Sequence, residues 1–275
     1  MLKKVLAFHI AVLILRVFYV LFRDIDLSPE EAQYWLWSKF LDLSYYSKPP
    51  LIAYLNFLST TILGDTEIGV RINAIILGFL IALTTYLFSL YLFKDEKVAF
   101  FNSVFIYFIP AYDIASILFL TDTPLAFFYL ALSFLFYVAV KENKPIFWIL
   151  TGIVAGLGFL SKYSIVFFFP VMLIYLTLFS RKTFKEKWFY IAIFIAGLFT
   201  LPVLYWNFNN DFVSFKHVGK LSGTDQGFKL NFKHFGDYIL GQIGINSVFL
   251  LPFFIYSVYK PFKEKDEKLI YLALS

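Results

Sequence analysis

Cysteine is absent from the 275 residues, histidine occurs three times and methionine twice. The missing cysteine excludes a disulfide, a thiolate nucleophile and any cysteine-based metal site. Charge is scarce too. Asp, Glu, Lys and Arg make up 16% of the chain, where a soluble domain carries about 25%. No Walker loop, HExxH or GxSxG is present, and no dinucleotide fingerprint follows a strand. A nucleotide-consuming domain is therefore not expected. Short-period repeats and low-complexity segments are also missing.

What fills the chain is apolar. Hydrophobic residues are 60% of the total and aromatics 22%. Uncharged runs cover Ile72 to Phe93, Trp188 to Asn210 and Tyr238 to Tyr259, of 22, 23 and 22 residues. A helix needs roughly 20 apolar residues to cross the hydrocarbon layer. Strands of a membrane barrel would give alternating segments of about 10. The pattern predicts an all-α polytopic membrane protein, with helices near 4–22, 70–93, 98–112, 117–140, 145–160, 162–180, 188–206 and 237–259. A ninth begins near 269. The expectation is a single domain over 1–275 with eight full spans and a truncated ninth. Because the sequence stops inside an apolar run, it reads as the N-terminal portion of a longer protein. The first segment lacks a small-residue cleavage pattern and is interrupted by Arg16, so it reads as a retained helix and not a signal peptide.

The net charge of +5 fits topology better than nucleic-acid binding. With a cytoplasmic N-terminus, the short cytoplasmic segments hold 14 of the 24 basic residues. These are Lys3, Lys4, Lys94, Lys97, Lys141, Lys144, Arg181, Lys182, Lys185, Lys187, Lys260, Lys263, Lys265 and Lys268. That bias follows the positive-inside rule. The longer loops, 23–69 and 207–236, then face outward. In the first, Ser28-Pro29-Glu30-Glu31 is a helix-start signature, with a Ser cap, an early Pro and acids in the first turn. Interfacial helices are expected over about 30–43 and 50–63, since the latter is short for a span.

The charged residues expected on this outer face are the candidates for chemistry. Glu30 and Glu31 either stabilise a helix end or act on a substrate. Asp122, in Leu120-Thr121-Asp122-Thr123-Pro124, is either an N-cap or a working carboxylate at a helix mouth. Lys48 is followed by two prolines that fix its backbone, and it suits a phosphate or simply snorkels. Arg71 and Lys162 offer the same two readings. His217, with Tyr34, Tyr45 and Tyr46, is a candidate for contacting an acceptor. His9 reads as structural, and Arg16 as paired with an acid or snorkelling. Asp113 resembles Asp122 but falls in an expected loop.

In order and separation, these motifs resemble one group of enzymes over roughly residues 1–210. They are Pro29-Glu30-Glu31-Ala32-Gln33-Tyr34-Trp35-Leu36-Trp37, Tyr45-Tyr46-Ser47-Lys48-Pro49-Pro50-Leu51, Gly64-Asp65-Thr66-Glu67-Ile68-Gly69-Val70-Arg71, Leu120-Thr121-Asp122-Thr123-Pro124 and Gly156-Leu157-Gly158-Phe159-Leu160-Ser161-Lys162. The group is the GT-C fold membrane glycosyltransferases that use polyprenyl-phosphate sugars, namely the ArnT-like, RgtA/B/C/D-like and protein O-mannosyltransferase-like enzymes. The resemblance implies a GT-C helical bundle of about twice this length. It implies catalytic carboxylates at Glu30, Glu31 and Asp122, and lysines for the lipid phosphate at Lys48 and Lys162, with Arg71 beside them. The family's first-loop pair is Asp-Glu, so Glu30 departs from it by one methylene. Ser47 stands where an acid or histidine is frequent.

The implied activity is inverting transfer of a sugar from a polyprenyl-phosphate donor to a hydroxyl of a glycolipid, lipopolysaccharide or protein. The site would face the periplasm or exterior of a cell inner membrane. The implied partners are the lipid-linked donor, the acceptor and membrane lipids, with no nucleic acid. The residues leave open whether a divalent metal assists. The rival readings are a transporter or lipid-linked-sugar flippase, and an inactive fragment.

Overall fold

The computed structural model describes residues 1–23, 25–221 and 250–275, together with Gly236, Asp237, Gly241 and Gly244. The described residues are helical or loop, with no strand among them. Helix α1 (Leu2–Phe22) crosses first. Two short helices come after it, α2 (Pro29–Ser38) and α3 (Leu51–Leu63), as expected for the first loop. Gly64 ends α3 with φ of 79°, a left-handed conformation that costs glycine little. The chain then enters α4 (Glu67–Phe93).

The next crossing is broken. A single helix over 98–112 is not formed. Instead α5 (Glu96–Phe105) passes into a 3-10 turn (Ile106–Phe108), and α6 (Pro110–Ala115) restarts the helix. Pro110 has no N–H to continue the ladder and holds Ile109 extended, with φ −95° and ψ 109°. The following helix, α7 (Asp122–Glu142), starts at Asp122 and not at 117. Residues 116–121 form an irregular connector.

Helices α8 (Pro145–Ser161), α9 (Phe168–Phe179, preceded by a 3-10 turn at Tyr163–Phe167) and α10 (Lys187–Asn209) complete the bundle. Beyond them lie α11 (Val213–Leu221), α12 (Leu251–Glu264) and α13 (Glu267–Leu274). The first half of the helix expected over 237–259 lies outside the described residues. Among the described residues, four helices are long and apolar enough to cross a membrane: α1, α4, α7 and α10. The others are shorter or interrupted.

The largest core cluster joins α4, α7, α8, α9 and α13 through Phe88, Phe136, Trp148, Tyr175 and Tyr271. Tyr271 is fully buried, and its hydroxyl donates to the Ser133 carbonyl at 2.6 Å. Helices α8 and α10 approach closely because α8 carries glycines at the contact. A Cβ on Gly156 would lie 2.4 Å from the Phe199 ring. Gly156→Val is expected to cost about 1–3 kcal/mol by overpacking. Denaturant unfolding in detergent checks this, and unchanged stability would contradict the packing.

Charged groups collect at the two ends of the bundle. At one end Lys141 pairs with Glu267 at 2.6 Å, Lys144 pairs with Glu142 at 2.8 Å, and the Lys268 ammonium donates to the Leu92 carbonyl. The opposite end carries α2, α3 and the acids and bases of the first loop.

Candidate active site

The end that carries α2 and α3 is organised around a buried carboxylate. Ser28 and Glu31 form a capping box at the start of α2. The Glu31 N–H donates to Ser28 Oγ at 3.3 Å, and the Ser28 N–H donates to Glu31 Oε2 at 3.0 Å. Arg71 of α4 then grips the same carboxylate from two sides, with Nε to Oε1 and Nη2 to Oε2 both at 3.0 Å. The Phe119 N–H, in the 116–121 connector, donates to Oε1 at 3.1 Å. Each Glu31 oxygen thus accepts two hydrogen bonds, which fills the roughly four lone-pair sites of a carboxylate.

Arg71 is equally occupied. It donates further to the carbonyls of Ile25 and Asp26, both at 2.8 Å. The Glu31 and Arg71 side chains are 0% and 1% exposed. Burial works to raise the Glu31 carboxyl. The Arg71 hydrogen bonds, the Ser28 and Phe119 N–H groups and the Arg71 charge outweigh it, so the group titrates below its ordinary value. This geometry departs from the sequence expectation. Glu31 has no free lone pair to take a substrate proton, and Arg71 has no surface to offer a phosphate. Together they lock α2, α4 and the connector to one another.

Glu30, one residue earlier, is exposed and has no hydrogen-bond or ion-pair partner among the described residues. Asp122 is also exposed, at the first turn of α7, and its Oδ1 accepts from Lys162 Nζ at 2.6 Å. Lys162 ends α8 in an extended conformation, with φ −161° and ψ 136°. Tyr34, one turn after Glu30 on α2, is buried. Its pKa is pushed up to about 12, mainly by burial, with the charges of Glu30 and Asp122 adding and a Thr121 hydrogen bond opposing. Glu30, Tyr34, Asp122 and Lys162 therefore share one neighbourhood. Thr121 caps α7 without a side-chain bond, so Asp122 is not spent as a cap.

Lys48 lies in the loop between α2 and α3, half-buried, and its ammonium has no partner among the described residues. Side-chain anchors hold this loop in place. Ser44 Oγ is 3.3 Å from the Tyr163 hydroxyl, next to Lys162. Ser214 Oγ of α11 donates to the Tyr45 carbonyl at 2.8 Å, and Trp206 Nε1 of α10 donates to Asp42 Oδ2 at 2.7 Å. The Tyr45 hydroxyl is used inside the loop. It donates to the Trp37 and Phe40 carbonyls, and its ring stacks on Trp37 at 4.5 Å. Tyr45 is therefore a loop brace and not an acceptor contact. Tyr46 is exposed and meets His217, with its hydroxyl 3.1 Å from Nδ1.

At the other edge of α2, Lys39 and the Trp35 indole N–H both bind Asp65, and they hold its carboxyl below the usual range. Ser44, Tyr163, Ser214 and Trp206 escaped the sequence reading, because nothing in their local patterns signals a partner 119 to 169 residues away. Asp42 could have been found as a lone acid in an aromatic-rich interfacial loop.

A cavity of about 850 Å³ runs between α4, α5, α6, α7 and α13. Its walls are mostly apolar, from Ile81, Phe88 and Leu92 to Leu125 and Leu130. Among the described lining residues, Asp122 is its only acidic or basic side chain. Among the described residues, no three His, Cys, Asp or Glu side chains converge to hold a metal ion.

An apolar helical bundle with two short helices and a cluster of acids and lysines at one end defines a multi-pass membrane protein of the GT-C fold. The chain belongs to the dolichyl-phosphate-mannose-protein mannosyltransferase family, whose model matches residues 47–206. It is similar to the lipid A galacturonosyltransferase RgtD of Rhizobium johnstonii, at 26% identity over 94% of this chain and 55% of that protein. It is also similar to an undecaprenyl phosphate-alpha-4-amino-4-deoxy-L-arabinose arabinosyl transferase of Proteus mirabilis, at 25% identity over 95% of this chain and 52% of that one. The chain thus spans about half the length of the curated relatives it matches. The fold is like that of ArnT from Cupriavidus metallidurans in its apo state, with a TM-score of 0.64 at 16% identity. That match covers 76% of this chain and 43% of the other.

Proposed function

We propose that this chain carries the donor-side machinery of a glycosyltransferase that moves a sugar from a polyprenyl-phosphate carrier to a hydroxyl on a membrane lipid. The observation that carries the reading is Asp122, which lines a mostly apolar cavity and is paired with Lys162. Lys48 and Glu30, without partners among the described residues, lie at the same end of the bundle. A mostly apolar cavity with one acid in its wall and a lysine paired to that acid suits a substrate with a lipid tail and an anionic head. The relatives' names specify lipid A in one case and an undecaprenyl-phosphate-linked sugar in the other.

In this mechanism Glu30 accepts the proton of the acceptor hydroxyl. The hydroxyl oxygen bonds to the anomeric carbon while the bond from that carbon to the phosphate oxygen breaks. Polyprenyl phosphate leaves with the electron pair, and the configuration inverts. Asp122 lends negative charge to the oxocarbenium-like transition state. Lys48 and Lys162 stabilise the leaving phosphate. Glu31 and Arg71 act one step back, holding α2 and the connector so that Glu30 and Asp122 face one space. Tyr46 and His217 border this space on the side of α11 and are assigned to the acceptor. The site faces the periplasm or exterior, the N-terminus is cytoplasmic and the membrane is the inner one. This orientation rests on the basic bias of the opposite end.

Lys48→Met is expected to weaken binding of polyprenyl phosphate by about tenfold or more, the loss of one charge-assisted hydrogen bond. Titration of a short-chain polyprenyl phosphate into the purified full-length protein measures it. Equal affinity in the variant would remove Lys48 from the phosphate site.

A further inference from the structure

One charge inside the bundle is not used by this mechanism. Arg16 sits on α1 six residues before its end, about 9 Å from the helix terminus. It is 8% exposed. A buried arginine at this depth is costly unless paired. Its Nη2 donates to Asp113 Oδ1 of α6 at 2.6 Å. Its guanidinium carbon lies 5.1 Å from the Tyr107 ring centre and 5.2 Å from that of Tyr112. Tyr112 in turn donates to the Gly78 carbonyl of α4 at 2.7 Å. A Cβ on Gly78 would lie 2.6 Å from Ser116 Cβ and 3.2 Å from Arg16 Nη1. Helices α1, α4 and α6 therefore meet on this one guanidinium.

Asp113 leads directly into the connector that reaches the reacting end. Ser116 Oγ donates to the Asp113 carbonyl at 3.0 Å, and Thr123 Oγ1 donates back to the Ala115 carbonyl at 2.7 Å. Between them the connector presents the Phe119 N–H to Glu31, and it ends on Asp122, paired with Lys162. The segment 113–122 is thus fixed at its start by Arg16, in its middle by Glu31 and at its end by Lys162. Helix α6 is only six residues long and has no side-chain cap. A helix this short is not stable on its own account, so its placement depends on tertiary anchors such as Arg16.

We infer that Arg16 is a positioning residue for the active site. Through Asp113 it sets α6 against α1, and so places the Phe119 N–H and Asp122 at the reacting end. The inference rests on the proposed glycosyl transfer, which assigns Asp122 to that end. Its effect is on turnover more than on donor binding, because Lys48 and Lys162 hang from other elements.

The absence of cysteine allows a readout independent of activity. Spin labels at Gln33→Cys on α2 and Ile114→Cys on α6, both exposed positions, report the separation of the two helices in the full-length protein. The native side chain at position 16 is expected to give one narrow distance distribution. Arg16→Met is expected to broaden it, and Arg16→Lys to keep it narrow. In transfer assays Arg16→Met is expected to lower kcat by about 10- to 100-fold, the cost of misplacing reacting groups by an ångström or so. The donor KM should stay within about twofold, since donor contacts are untouched. Arg16→Lys should recover most of the loss, and Asp113→Asn should repeat it if Arg16→Met does not accumulate. An unchanged distance distribution overturns the inference, as does a broadened distribution with unchanged kcat. A broadened distribution in a protein whose parent form transfers no sugar from any polyprenyl-phosphate donor sinks the proposed function and leaves the anchoring of α6 standing.

Discussion

Arg71→Met is expected to destabilise the folded protein by about 3–5 kcal/mol, the cost of leaving one member of a buried pair uncompensated. Glu31 would keep its Ser28 and Phe119 hydrogen bonds but lose both bonds to the guanidinium. Glu31→Gln is expected to cost a similar amount, because it strands Arg71 and replaces an acceptor oxygen with a donor. The double variant should be less damaged than the sum of the singles, since removing both charges removes the desolvation problem. Unfolding in detergent across the four proteins measures the coupling. Strict additivity would mean that the pair does not act as a unit.

The pH dependence carries a defined sign. The folded-state carboxyl of Glu31 titrates below its ordinary value of 4.5. Its contribution is therefore complete above that value and is lost as pH falls below it through the folded-state value. The wild type should lose stability over that acid range, and the double variant should lose less of it there.

The second large effect falls on the neighbouring residue and is opposite in kind. Glu30→Gln is expected to leave stability within about 0.5 kcal/mol, as for exposed positions without partners. It should nevertheless lower transfer by about 10²- to 10⁴-fold, the range for loss of a general base. Adjacent glutamates on one helix would thus separate cleanly into a fold residue and a reaction residue. The physical cause is their direction. Glu31 points inward to Arg71 and the Phe119 N–H, while Glu30 is exposed one residue earlier on the same helix. Loss of stability in Glu30→Gln, or full activity in it, would reverse that division.

This division was not legible in the sequence. Ser28-Pro29-Glu30-Glu31 announces a helix start, and the short α2 and α3 were readable from the proline, the glycine and the limited apolar length. The long spans α4, α7 and α10 follow from uncharged runs, and α1 from an apolar run interrupted by Arg16. Which glutamate turns inward depends on Arg71, 40 residues away, and on a backbone N–H 88 residues away. Contacts at such separations leave no periodicity. The break at Pro110 was masked for a related reason. Hydropathy predicts one helix over 98–112 and a loop at Asp113, whereas the chain breaks at Pro110 and carries Asp113 in a second short helix bonded to Arg16. Lys162 and Asp122 were each visible as a lone charge in apolar surroundings. Their pairing was visible only once α7 and α8 were folded against each other.

The measurement that tests the central claim most directly is sugar transfer itself. Membranes containing the full-length protein are incubated with labelled polyprenyl-phosphate sugars, and label is followed from the donor into other membrane lipids. The parent protein is expected to move label into an acceptor lipid and release polyprenyl phosphate, with Glu30→Gln doing so about 10²-fold more slowly or worse. Label that stays on the donor with every sugar offered, or that moves equally well in the two proteins, would contradict the account.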